Sequence, residues 1–137
     1  VDVMRRFCGN LFLAPPTLSQ HVALAAMDAR AELEAHVATY AANRRLLTEA
    51  LPALGIARFA PTDGAFYVYA DIGHLTDDSL EWCLELLDAT GVALNTGLDF
   101  DPAHGGRWVR LSFAVSTAEV EQALARLAGW LRGRRRA

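Results

Sequence analysis

The sequence predicts an α+β fold: a long N-terminal helix, then a small, mostly antiparallel sheet of about four strands with two helices on one face. Three observations point to it. A helical stretch runs from about residue 18 to 51. Short segments rich in β-branched and aromatic residues then alternate with capped helical segments in the order β-β-α-β-β-α. One of those segments, 108–114, separates an apolar face from an amphipathic one with a period of two.

Residues 1–16 read as an irregular, apolar lead that ends in Pro15-Pro16, a pair that stops regular structure. Helical spacing begins at Thr17 or Ser19, either of which suits an N-cap. Leu33, Val37, Tyr40, Leu47 and Leu51 carry it onward, and Pro52 and Gly55 close it. A continuous helix over 18–51 would be about 50 Å long. A globule of this chain length has a radius of gyration near ~14 Å, so such a helix would reach beyond its own domain. The segment 21–31 is apolar on nearly every side and would need cover. The long or bent helix is the reading adopted; two helices with a break near Asp28–Arg30 are the alternative.

Ile56–Phe59 reads as a short strand and Pro61-Thr62-Asp63-Gly64 as a turn. Ala65–Ile72 is a strand by composition. Asp78 with Glu81 opens a helix whose stripe is Leu80, Leu84 and Leu87, with Gly91 at its C′ position. Val92–Asn95 is a short strand, 96–107 a glycine-rich loop, and Trp108–Ala114 a strand. Ser116 with Glu119 caps the last helix, which carries Val120, Leu124, Leu127 and Leu131 before a basic tail. The organisation is therefore a lead and long helix over 1–52 and a small domain over 53–137.

The 137 residues suffice to bury roughly two thirds of the unfolded chain's surface. Hydrophobic residues are 53% of the chain, which excludes disorder. Net charge is −3, so nucleic acid is not an expected partner. No apolar run reaches the ~18 residues of a membrane span. The two cysteines, Cys8 and Cys83, make no disulfide framework, and the reading is a reducing cytoplasm. The chain starts at Val1, which reads as a piece of something longer. All 13 basic residues are arginine, so no amine here can form a lysine Schiff base.

Arg110 is the sharpest position. It lies mid-strand between Val109 and Leu111, on the face opposite Val109, Leu111 and Phe113. A guanidinium there is expensive to bury without an anion, and its planar fork suits bidentate capture of a carboxylate. The structural alternative is pairing with Asp71 or simple solvation. The glycines of 95–106 match no phosphate-binding pattern, and an ordinary connecting loop is the better reading. His21, His36 and His104 have no ligand-spaced partners, so no metal site is expected. The arginines at 132 and 134–136 complement a helix C-terminus.

Four segments in register carry a family resemblance: LAPPTLSQHVALAAM (13–27), DGAFYVYADI (63–72), GVALNTGLDF (91–100) and GGRWVRLSFAVSTAEVEQALARLAGWL (105–131). Together they resemble the C-terminal part of class I/II aminotransferases, fold-type I enzymes dependent on pyridoxal phosphate (PLP). The resemblance covers essentially the whole chain. It implies an interdomain helix followed by the small domain, and a homodimer. It gives Arg110 the role of binding the substrate α-carboxylate. Gly64, Phe66 and Tyr67 match the strand near the substrate, and Asn95 to Gly97 the loop that closes over the site. Thr17 to Gln20 match a stretch near the cofactor and subunit boundary. The family's Schiff-base lysine, phosphate-binding residues and ring-nitrogen aspartate have no counterpart in this chain. It therefore offers no catalytic and no cofactor-binding residue of its own, and the expectation is an inactive fragment of an enzyme acting on an amino acid and a 2-oxo acid. The stretch Gly9–Phe12 lacks the arginine that reads a dicarboxylate side chain in aspartate-type members, which favours an apolar or neutral substrate. The alternatives are a transcriptional regulator with an aminotransferase-like region, a related fold-type I decarboxylase or acyltransferase, and a stand-alone α+β ligand-binding module.

Overall fold

The computed structural model describes residues 1–11 and 13–134; Phe12 and the last arginines of the basic tail, Arg135 and Arg136, lie outside the described residues. The chain divides into two units, Val1–His36 and Val37–Ala137.

The first unit is helical. The lead expected to be irregular folds as α1 (Asp2–Leu11). Asp2 in the first turn complements the helix dipole, and Val3, Phe7 and Leu11 recur every fourth residue. α2 (Thr17–Ala26) follows the proline pair. Its N-cap is Pro16, with φ −52°, and no side chain caps it, so neither Thr17 nor Ser19 plays the role expected of it. The expected helix over 18–51 is interrupted at Met27–Ala29, where three successive N–H groups donate three residues back, to Leu24, Ala25 and Ala26. α3 (Arg30–Ala53) begins beyond that turn. The two-helix alternative is the one the chain adopts. No described residue of α1 or α2 is buried.

The second unit holds the core. α3 contributes its last turns, with Leu47 and Leu51 buried, and Gly55 at φ 94° ends the element as its position required. Three strands form: β1 (Tyr67–Asp71), β2 (Asn95–Thr96) and β3 (Trp108–Ser112). The sheet order is β1-β3-β2, antiparallel throughout, with Tyr69 opposite Arg110 and Asn95 opposite Arg110 on the other side. The α+β class stands. The strand expected at 56–59 is reduced to one bridge, Phe59 to Ala70, flanked by the Ala60 N–H donating to Tyr69 and the Asp71 N–H donating to Arg58. The strand expected over 92–95 pairs only from Asn95.

Val68, Ala70, Val109 and Leu111 face the helices and are buried with Leu51, Leu86, Leu127 and Leu131. Asn43, fully buried, donates its amide to the carbonyls of Phe113 (3.1 Å) and Val115 (2.8 Å), tying α3 to the chain just beyond β3. α4 (Ser79–Thr90) is capped by Asp78, which accepts from the N–H groups of Leu80 and Glu81, and ends on Gly91 in the left-handed region. Its buried face differs from the one predicted. Leu80, Leu84 and Leu87 are 40–48% exposed, and Ser79, Trp82, Cys83 and Leu86 face inward. α5 (Thr117–Arg134) carries the expected capping box: Glu119 accepts from the Ser116 N–H and hydroxyl, and the Ser116 hydroxyl accepts from the Glu119 N–H. Val120, Leu127 and Leu131 are buried on its inner face.

Candidate functional site

Because side chains alternate along a strand, burying Val68, Ala70, Val109 and Leu111 under the helices turns Tyr67, Tyr69 and Asp71 of β1 and Trp108 and Arg110 of β3 to the opposite face. That face is aromatic. Tyr69 stacks on Trp108 with ring centroids 4.8 Å apart, and Phe100 lies 5.7 Å from both Tyr67 and Tyr69. Burial pushes the Tyr69 phenol above its ordinary pKa and Asp101 adds to the rise, so Tyr69 stays a neutral hydroxyl at pH 7.

Arg110 lies against two of these rings. Its guanidinium carbon is 4.5 Å from the Phe100 ring centroid and 5.6 Å from that of Tyr67. One Nη2 donates to Asp99 Oδ2 at 3.1 Å. The Nε–H is buried and has no partner among the described residues. The side chain is 22% exposed and that of Asp99 56%. Asp71, the partner considered from sequence, pairs with Arg58 at 2.8 Å instead. The site therefore presents a largely buried, planar cation whose one carboxylate contact is with a half-exposed side chain.

The loop that carries Asp99 and Phe100 is built on close backbone approach. Gly97 and Gly105 open two 3-10 turns, 97–99 and 105–107. A Cβ on Gly97 would come within 2.6 Å of the Tyr69 hydroxyl and 2.8 Å of the Gly105 carbonyl oxygen. A Cβ on Gly105 would run into the backbone of Gly97 and Leu98. Ser79 locks the pair from below. Fully buried, it donates to the Gly105 carbonyl (2.9 Å) and shares a short hydrogen bond with Thr96, which in turn caps the first 3-10 turn through the Leu98 N–H.

Of the residues singled out from sequence, the structure brings Tyr67 against the Arg110 guanidinium, and Phe66 edge-on to Tyr67 at 6.0 Å. Asn95 pairs with Arg110 across the strands, and Gly97 backs onto Tyr69. Gly64 lies in the exposed bend before β1 with open space around it and joins no part of this cluster; Ala65 after it has φ 59°. Thr17–Gln20 begin α2 and are exposed. Asp99, Phe100, Tyr69, Trp108 and Ser79 were not singled out. The alternation that located Arg110 also selects Tyr69 and Trp108; Asp99, Phe100 and Ser79 carry no such signal in the sequence.

Two cavities border the cluster. One, of about 410 Å3, is polar and lies beside Trp108, with Arg58, Asp71, Asp77 and Arg107. Its arginines are already paired, Arg58 with Asp71 and Arg107 with Asp77. The other, of about 500 Å3, runs along the free edge of β2 towards α5, between Leu94, Leu124 and Leu127. Burial pushes the Cys83 thiol up to about 11, so it supplies no nucleophile at neutral pH. Among the described residues no three His, Cys, Asp or Glu side chains converge as metal ligands, and no helix is long and apolar enough to cross a membrane.

Comparison with known proteins gives the family of the chain. Residues 1–127 match the family model for aminotransferase class I and II. The chain is 51% identical over 125 residues to a valine–pyruvate aminotransferase from Mycobacterium tuberculosis, covering 90% of this chain and 32% of the relative. It is 34% identical over 131 residues to an LL-diaminopimelate aminotransferase from Dehalococcoides mccartyi, covering 95% of this chain and 33% of that one. A crystal structure of an aminotransferase from Mycobacterium tuberculosis superposes with a TM-score of 0.86 at 50% identity, over 93% of this chain and 33% of that one. The chain thus spans about a third of the length of the relatives it matches. It belongs to the class I and II aminotransferase family.

Proposed function

We propose that these residues form the interdomain helices (1–52) and small domain (53–137) of a PLP-dependent aminotransferase, and that Arg110 receives the α-carboxylate of the amino acid and the carboxylate of the 2-oxo acid. The observation that carries this reading is the guanidinium itself: mid-strand, ringed by Phe100 and Tyr67, with only one carboxylate contact. A fork of parallel N–H donors fixes both the charge and the orientation of a carboxylate. Orientation matters because proton loss from Cα is fast only in one alignment, a positioning effect. Tyr67 and Phe66 wall the site, while Asn95 and Gly97 hold the loop that covers it. Gly64 enters this reading through the family resemblance alone.

PLP, when bound, supplies the electron sink for this class of chemistry. The residues present fit the carboxylate end of the substrate and not the cofactor, because the chain contains no lysine. No step through PLP is assigned to them, and the 137 residues alone are expected not to transaminate. The absence of an arginine in Gly9–Phe12 favours an amino acid with an apolar or neutral side chain, and the 51% identity to a valine–pyruvate enzyme supports that choice. The assembly we infer is a cytoplasmic homodimer, whose partners are neither nucleic acid nor membrane.

The test uses the full-length polypeptide carrying this segment. With PLP it should transfer the amino group of valine to pyruvate better than that of aspartate to 2-oxoglutarate. Arg110→Lys keeps the charge but loses the fork. It should lower kcat/KM on the order of a hundredfold with PLP binding unchanged. Parent-like turnover by that variant removes the assignment.

A further inference from the structure

Arg110 is engaged by a carboxylate of its own chain. Asp99 Oδ2 sits 3.1 Å from Nη2. The Nε–H, which shares an edge of the guanidinium with Nη2, is buried and has no partner among the described residues. Both forks of the guanidinium, Nη1 with Nη2 and Nε with Nη2, use Nη2, and Nη2 is where Asp99 already is. A carboxylate arriving from solvent either displaces Asp99 or shares Nη2 with it at contact distance. Both routes carry a penalty: one breaks a charge-assisted hydrogen bond, the other sets two carboxylates side by side. Asp99 is suited to yield. It is more than half exposed, so its charge is rehydrated readily, and it stands in a short 3-10 turn whose neighbour Phe100 covers the same guanidinium.

We propose that Asp99 is a resident carboxylate that competes with the substrate for Arg110 and so sets how tightly the site holds carboxylate ligands. The inference rests on the reading of Arg110 as the carboxylate receptor. Asp99 touches no reacting atom under this proposal; it acts through Arg110, as a positioning residue that tunes affinity. The cost it imposes on ground-state binding should appear in KM and Kd and leave kcat nearly unchanged.

The experiment titrates isovalerate, an unreactive aliphatic carboxylate, into the full-length PLP-loaded polypeptide by calorimetry, with isovaleramide as the uncharged control. Asp99→Asn keeps an oxygen acceptor and removes the charge. It should tighten isovalerate roughly fivefold, the scale of one like charge removed at contact distance in the water-like surroundings of a half-exposed Asp99. Isovaleramide binding should not move. Asp99→Ser, which removes the same charge, should also tighten isovalerate. If Arg110→Lys weakens isovalerate but both Asp99 variants bind it as the parent does or more weakly, the role of Asp99 is overturned and the receptor reading stands. If isovalerate does not bind, or binds equally to Arg110→Lys, both readings fall.

Discussion

The two units of this chain use apolar side chains in opposite ways. In Val1–His36, Val3, Phe7, Leu11, Leu18, Val22 and Leu24 are each 60–76% exposed. In Val37–Ala137, residues of the same types, Leu51, Val68, Val109 and Leu127, are at most 2% exposed. Hydrophobicity is similar; what differs is partnership. The second unit has a sheet whose alternation offers one apolar face, and three helices that close it. The first has helices with no second layer among the described residues, and a helix stripe without a partner buries nothing. The site lies on the sheet's other face, so the packing that makes the core is also what turns Arg110 outward.

Substitutions across the two units should respond unequally. All three tryptophans, Trp82, Trp108 and Trp130, lie in the second unit, so their fluorescence during urea unfolding reports that unit. Leu51→Ala empties a fully buried position and should destabilise it by about 2–5 kcal/mol. Leu24→Ala, at a residue 70% exposed, should leave the same transition within about 0.5 kcal/mol. Equal losses would erase the contrast.

A smaller effect is expected at the loop over the site. Gly97→Ala drives a Cβ against the Tyr69 hydroxyl and the Gly105 carbonyl, a clash with backbone that cannot swing away. Overpacking of this kind costs about 1–3 kcal/mol. In the full-length polypeptide it should also raise KM for the amino acid, because Phe100, which covers the Arg110 guanidinium, moves with the turn. Unchanged stability together with unchanged KM would show that the two glycines are not a fulcrum.

The smallest effect is a matter of pH. The Ser116 hydroxyl and N–H hold the Glu119 carboxyl below the ordinary carboxylate range. A depressed folded value means that the capping contribution is fully present above the unfolded pKa and fades as pH falls through the folded one. Glu119→Gln should therefore lower the urea midpoint at pH 7 and converge with the parent at the acid end of the transition. A gap that stays constant with pH would mean that charge plays no part in this cap.

The parts legible in the sequence were those governed by local rules. Asp78, Gly91, Ser116 and Glu119 cap as their spacing predicts, since a cap depends only on a few neighbouring backbone groups. The alternation of β3 placed Arg110 on the face away from the helices. Long-range choices were not legible. α4 is apolar on more than one side, and periodicity alone favoured Leu80, Leu84 and Leu87. The fold instead buries Trp82, whose ring meets Trp130 edge-on at 5.1 Å, and lets the leucines face out. The partner of Arg110 followed no period either. Asp99 reaches it because the Gly97–Gly105 contact folds the loop back over the sheet. The break at Met27–Ala29 has neither glycine nor proline to announce it.

The central claim is that the substrate's carboxylate lands on Arg110. A crystal structure of the full-length, PLP-loaded polypeptide with a bound 2-oxo acid tests it most directly. The account predicts both carboxylate oxygens within about 2.7–2.9 Å of Nη1 and Nη2 of Arg110, with Phe100 and Tyr67 against the guanidinium. A carboxylate bound elsewhere, with Arg110 still joined to Asp99 alone, would contradict it.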